Sequence, residues 1–212
     1  MSMSWNLRAE RMHKTRRRTL ITSPLEWQMT AEPVPAPNIP VLAERGGTQI
    51  KAPKAVLLID TREQNPLDCS RFAGWFAGIE KRALALGDYS IAGFEDECVV
   101  ERKDLPDLVR SFTTDRAAFV SRLKRMATYR HRLLVITAAM SQVKSKYSFS
   151  AIDPNRIMQS MIAVLAGVGV PFLCTETHEM AEEVVASYLY QIHLYHWLDA
   201  NEFGRFLADG DL

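Results

Sequence analysis

Two periodicities run along this chain, and neither begins before about residue 55. Residues 55–60, "AVLLID", form a continuous apolar run ending in an acid, the pattern of a strand buried on both faces that carries Asp60 at its C-terminal end. Residues 69–84, "CSRFAGWFAGIEKRAL", space their aromatic and aliphatic side chains as a helix does. "ALALGDYSIAG" (83–93) and "CVVERK" (98–103) then read as two antiparallel strands joined across the polar turn "FEDE".

Further along, "DLPDLVRSF" (104–112) predicts a helix, with Asp104 suited to the N-cap, Pro106 to the first turn, and Leu105, Leu108, Val109 and Phe112 on one face. A second helix is expected from about Asp115, a buried strand at "RLLVITA" (132–138), a helix from Asp153 to the glycines at 167 and 169, and a strand at "VPFLCTE" (170–176). A last helix is expected from about His178 towards Phe206. This order predicts an α/β fold, a central mixed sheet flanked by helices.

Upstream the pattern differs. Between Pro24 and Pro40 five prolines fall in 17 residues, a density that bars regular helix and predicts an extended, water-exposed linker. Arg8 to Arg18 carries six Lys/Arg and one Glu, a run that serves as a nucleic-acid arm, a localisation signal or a solvated end. Charge sharpens the division. The whole chain is +1, but its first 54 residues hold nine Lys/Arg against four Asp/Glu, which leaves the remainder at −4. The expected organisation is a basic, Pro-rich arm and linker over residues 1–54 and one domain over 55–212, long enough for an ordinary core at 47% apolar content.

Three widely spaced cysteines, Cys69, Cys98 and Cys174, lie in apolar settings without CxxC spacing, which argues against a disulfide framework or a zinc site. The N-terminal "MSMSWNLRAERMHKTRRR" lacks the apolar stretch of a signal peptide, and no run approaches a membrane span. The expectation is a cytoplasmic protein associated with the nucleoid or other DNA, or a nuclear one in a eukaryote.

The candidate chemistry lies in "GDYSIAGFEDECVVERKDLPDL" (87–108). On a strand, Glu101 and Lys103 share a face and Arg102 takes the other, while the proposed strand pairing brings Asp88 near Glu101. Two carboxylates at one site resist ionising together unless a cation joins them. Oxygen ligands without clustered His or Cys favour Mg²⁺, with Mn²⁺ able to substitute. Such an ion polarises a phosphodiester and eases loss of a water proton. Lys103 would position that water or offset developing charge. Asp60 and Glu63 of "LLIDTREQ" (57–64) would complete the acidic cluster, and Asp107 would orient Lys103 or Arg102.

Glu-x-Lys alone recurs by chance, but the longer string resembles the nuclease domain of the XPF family of structure-specific endonucleases, a branch of the restriction-endonuclease-like PD-(D/E)xK superfamily. The family signature is GD, a spacer, then ERK-xxx-D, and here Gly87-Asp88, Glu101-Arg102-Lys103 and Asp107 match it. The upstream D-x-RE motif is matched by Asp60-Thr61-Arg62-Glu63, and the basic residue after the ERK helix by Arg116. The resemblance runs from Ala55 to the final helix, about three quarters of the chain.

That resemblance implies a restriction-endonuclease-like sheet, here following the extended N-terminal arm read above, and a Mg²⁺-dependent endonuclease acting in DNA repair or recombination. It implies cutting at branched, flap or fork DNA, leaving 5′-phosphate and 3′-hydroxyl ends. Asp60, Asp88 and Glu101 would bind metal; Glu63 and Lys103 would join them in catalysis, and Arg62, Arg102 and Asp107 would support the site. Members commonly act as dimers, with themselves or a related chain. They usually append tandem helix-hairpin-helix modules, and the expectation here is a nuclease without them, since the chain ends about nine residues after Phe203. Alternatives are a restriction-like or Holliday-junction-resolvase-like nuclease, and a non-catalytic DNA-binding scaffold. Scaffold members lose the acids and the lysine that this chain keeps.

DNA would be held by a basic stretch: from Arg116 to Arg132 there are six Lys/Arg and no acid. On a helical wheel Phe119, Val120, Leu123, Met126 and Ala127 share a face and Arg122, Lys124 and Arg125 spread opposite, as a phosphate track or a solvated face. The final helix, "MAEEVVASYLYQIHLYHWL" (180–198), is apolar around most of its circumference. A second copy packing there is the expectation, against a core helix of the monomer. His193 and His196, among aromatic neighbours, are expected in a core or interface.

Overall fold

The run at residues 55–60 becomes the buried strand it predicts. A computed structural model describes residues 33–35, 42–43, 49–50 and 52–201. In it β3 (Val56–Asp60) follows a short antiparallel pair, β1 (Leu42–Ala43) and β2 (Gln49–Ile50). The arm and linker expected over residues 1–54 fall mostly outside the described residues. Val34, within the linker expected to run through water, is docked instead. Its N–H donates to Arg71 O at 2.8 Å and its carbonyl accepts from Trp75 Nε1 at 3.0 Å. The core begins slightly before residue 55, because Ala52 is already buried.

β4 (Gly78–Arg82), β5 (Tyr89–Ile91), β6 (Cys98–Asp104), β7 (His131–Thr137) and β8 (Phe172–Thr175) join β3 in one sheet of order β4-β3-β5-β6-β7-β8. β5 is antiparallel to both its neighbours, and the other pairs are parallel. The sheet is therefore mixed, as expected. The helices are α1 (Leu105–Phe112), α2 (Arg116–Met126), α3 (Met140–Val143), α4 (Pro154–Val168) and α5 (His178–Ala200). Any continuation of α5 towards Phe206 lies outside the described residues. Among the described residues no helix is long and apolar enough to cross a membrane.

The helix expected over residues 69–84 is absent. A 3₁₀ helix, Ser70–Trp75, is followed by β4. Phe72 and Trp75 are three apart, which a three-residue turn stacks on one side as well as an α-helix does, and both are buried. The Ala77 N–H then donates to Ala55 O at 2.7 Å, turning the chain into parallel pairing with β3. Glu80, Lys81 and Arg82 are exposed on this outermost strand, the charged profile of a protected sheet edge.

Helices cover both faces of the sheet. On one, α5 and the 3₁₀ helix meet Leu57, Ile59, Tyr89, Ile91, Cys98, Val100, Leu133 and Val135. On the other, α1, α2 and α4 meet Val99, Leu134 and Ile136. α5 spends its apolar circumference inside this domain: Ala181, Val185, Leu189, Ile192 and Leu198 are buried, and Tyr190 packs edge-on to Trp75 with ring centroids 5.5 Å apart. Much of the helix's apolar circumference is thus buried within one chain, while Val184, Tyr188, Tyr195 and Trp197 are only partly buried. His196 meets His131 at 3.0 Å and packs against Phe94, and His193 contacts Pro53 O at 2.7 Å, the packed setting expected of them.

Candidate active site

Strand alternation decides which way each reactive side chain points. Cys98 and Val100 lie on the α5 side of β6 and Val99 on the α1–α2–α4 side, so Glu101 and Lys103 follow Val99 towards α2 and Arg102 turns away. Glu101 is fully buried, at 0% exposure. It accepts from Lys103 Nζ at 2.7 Å and from Arg122 Nη1 at 2.7 Å and 2.9 Å, one bond to each oxygen. Lys103 Nζ also lies 5.8 Å from the centroid of the Phe119 ring. One turn of α2 therefore brings both Phe119 and Arg122 to the pair.

Asp88 reaches the same place through a glycine. Gly87 has φ +78, and a Cβ there would collide with Val99 Cγ2 and stand 2.9 Å from Val100 O. Without a side chain the backbone closes onto β6. The Asp88 N–H donates to Val100 O at 2.8 Å, its carbonyl accepts from Asp60 N–H at 2.8 Å, and its Oδ2 accepts from Arg102 N–H at 2.7 Å. Burial, and next the Glu101 charge, push its carboxyl up to about 7, against the pull of Arg102 N–H and Lys103. The two carboxylates therefore act within one field.

Asp60 is engaged differently. Its Oδ1 accepts from Arg62 N–H at 2.7 Å and from Arg62 Nε at 2.8 Å, and its Oδ2 from Arg62 Nη2 at 2.8 Å and Leu84 N–H at 2.7 Å. Arg62 above all holds this carboxyl down at about 2. Among the described residues no three His, Cys, Asp or Glu side chains gather as a metal-holding group. Asp60 is committed to four N–H donors, whereas Asp88 lies near enough to Glu101 to feel its charge.

Of the supporting residues, Arg102 donates to Glu63 at 2.9 Å, both largely buried, and braces the strand from behind. Asp107 departs from expectation. It accepts from Arg110 Nη2 at 2.6 Å, its i+3 neighbour on α1, and its N–H caps onto Asp104 at 2.8 Å, so it orients neither Lys103 nor Arg102. Arg116, Lys124 and Arg125 are exposed on α2. Arg116 donates to Ser160 Oγ at 2.9 Å, and an open depression is lined by Arg116, Val120, Ser121 and Lys124. Arg122, expected on that outer face, turns inward to Glu101. Its spacing carried the signal: three after Phe119 and four before Met126, both buried, it borders the apolar stripe.

Fold and site together define a mixed-sheet α/β domain whose central strand delivers a buried acid and a lysine to one face, beside a second acid held on a glycine turn. Residues 59–188 match the ERCC4 domain, and the chain belongs to that family. The resemblance read from the GD and ERK motifs therefore holds. Among solved structures the chain is similar to XPF from Aeropyrum pernix, with a TM-score of 0.53 and 18% identity over 65% of this chain and 61% of that one. It is similar also to XPF from the same organism in complex with DNA, with a TM-score of 0.51 and 18% identity over 66% and 65% of the two chains. This chain thus spans less than two thirds of either structure. No curated protein matches it.

Proposed function

We propose that this chain is a divalent-metal-dependent DNA endonuclease of the XPF type, cutting phosphodiester bonds at branched, flap or fork DNA. The observation that carries the reading is Glu101, wholly buried yet bonded to two basic side chains, one of them Lys103 on the same face of β6. Nothing in packing requires an acid there, and Asp88 beside it has its ionised form disfavoured. A divalent ion fits this donor chemistry, since Mg²⁺ takes one or two carboxylates and leaves its other positions to water and phosphate. The DNA-bound XPF of similar fold supports nucleic acid as the substrate class.

Asp88 and Glu101 would hold the ion, and Asp60 would reach it only by giving up Arg62. When bound, it supplies positive charge against the phosphate oxygens and makes a nearby water more acidic. The chain's own groups do the rest. Lys103, steadied by Glu101 and the Phe119 ring, places its ammonium where negative charge grows on the phosphate. Arg102 N–H fixes Asp88 by one oxygen. Water adds across the P–O3′ bond, leaving a 5′-phosphate and a 3′-hydroxyl. Pairing with a second copy or a related chain belongs to the same proposal and is read out as oligomeric state in solution.

The test is a panel of flap, fork, bubble, Holliday and linear DNA with Mg²⁺ or Mn²⁺. Lys103→Ala, Glu101→Gln and Asp88→Asn should each lower cleavage by at least about 100-fold, with far-UV circular dichroism unchanged and DNA binding retained. EDTA should stop the reaction. Wild-type rates in any of the three variants would remove the site.

A further inference from the structure

Glu101 already carries the partners that a metal ion would offer it. Two cations reach its carboxylate, Lys103 on the same strand and Arg122 from α2, at 2.7 to 2.9 Å. They are not equivalent. Lys103 is 18% exposed and sits two residues along the same strand, over Phe119; Arg122 is 41% exposed and arrives from a separate helix. Burial works against the Arg122 charge, while Glu101 and then Asp88 hold it in place. Arg122 thus stands in the field of both carboxylates. Lys124 and Arg125, two and three residues on, are exposed, so the helix that fills the site also presents cations to solvent.

We propose that Arg122 is an exchangeable counter-ion, neutralising Glu101 until a divalent ion replaces it and then passing its guanidinium to a DNA phosphate. The inference rests on the metal-dependent nuclease reading above. A doubly charged ion beside Glu101 is repelled by a guanidinium bonded to both carboxylate oxygens, so it binds well only when Arg122 leaves. Guanidinium leaves readily only for an acceptor of matching geometry, and a phosphate offers two oxygens to its fork of donors. Each arrival therefore removes the obstacle to the other. By linkage the effect is reciprocal, DNA tightening metal binding and metal tightening DNA binding. Alone, the protein keeps its carboxylate neutralised, and full loading waits for the nucleic acid.

Mn²⁺ binding to the full chain, followed by calorimetry without DNA, tests this directly. Arg122→Gln and Arg122→Ala should bind Mn²⁺ about tenfold tighter than wild type, within the range usual for coupled sites. Arg122→Lys keeps the charge and should stay near wild type, which separates charge removal from loss of fold. DNA affinity by anisotropy, in Ca²⁺ against EDTA, should rise about tenfold in wild type and change little in the Gln and Ala variants. If wild type binds Mn²⁺, Glu101→Gln abolishes that binding, and the Gln and Ala variants bind no tighter than wild type, this inference alone fails. If neither wild type nor any Arg122 variant takes up Mn²⁺, the metal reading fails and this one with it.

Discussion

Gly87 meets two demands that no other residue meets at that point. Its positive φ suits a residue without Cβ, and the space a Cβ would need is filled by Val99 and by the Val100 carbonyl. Gly87→Ala should therefore lower stability by at least about 2 kcal/mol, read as a shifted urea midpoint, and should lower activity as Asp88 moves off β6. An unchanged midpoint would mean that the turn relaxes freely. At this scale much was legible in the sequence. The strand period puts Glu101 and Lys103 on one face, and the GD turn brings Asp88 to them. The engagement of Asp60 was not legible, because Arg62 folds back from a turn whose shape the residue types do not dictate.

Among the elements, the strands with continuous apolar runs and the helices with an Asp N-cap and a first-turn proline were readable, since burial on two faces and N-terminal capping leave local marks. Asp104 and Asp153 each accept from an N–H of the first turn, which also holds Pro106 or Pro154. β4 left no such mark. An edge strand needs little apolar content, and its Glu, Lys and Arg are equally good helix formers. The periodicity of α2 predicts its helix and its exposed Lys124 and Arg125, but not Arg122, which borders the buried face and bonds Glu101. If the outer face follows the DNA backbone, Lys124→Ala with Arg125→Ala should reduce the slope of log affinity against log salt by about 2. Fluorescence anisotropy in EDTA measures it; an unchanged slope would remove α2 from the phosphate track.

At the scale of the whole molecule, α5 closes one face of the sheet and carries an acid into that closure. Glu183 is only 8% exposed, and burial pushes its carboxyl up to about 7 against the pull of Arg71. Its folded value thus exceeds the ordinary 4.5. The native state then binds the proton more tightly, so this contribution is fully present below about 4.5 and is lost as pH rises through about 7. Relative to wild type, Glu183→Gln should gain on the order of 2 kcal/mol between pH 5 and pH 8, followed by urea titration. A difference independent of pH would place the native charge in water. The packing partners of α5 were not legible in its sequence: much of its apolar circumference meets the 3₁₀ helix and the residues from Ala52, and Val184, Tyr188, Tyr195 and Trp197 stay partly buried.

Asp88, Glu101, Lys103 and Arg122 all lie between residues 87 and 122, in one hairpin and the two helices that follow it. Their mutual contacts close short loops, whereas β7, β8 and α5 join from further along the chain. During synthesis the reactive groups can meet before the outer strands emerge from the ribosome.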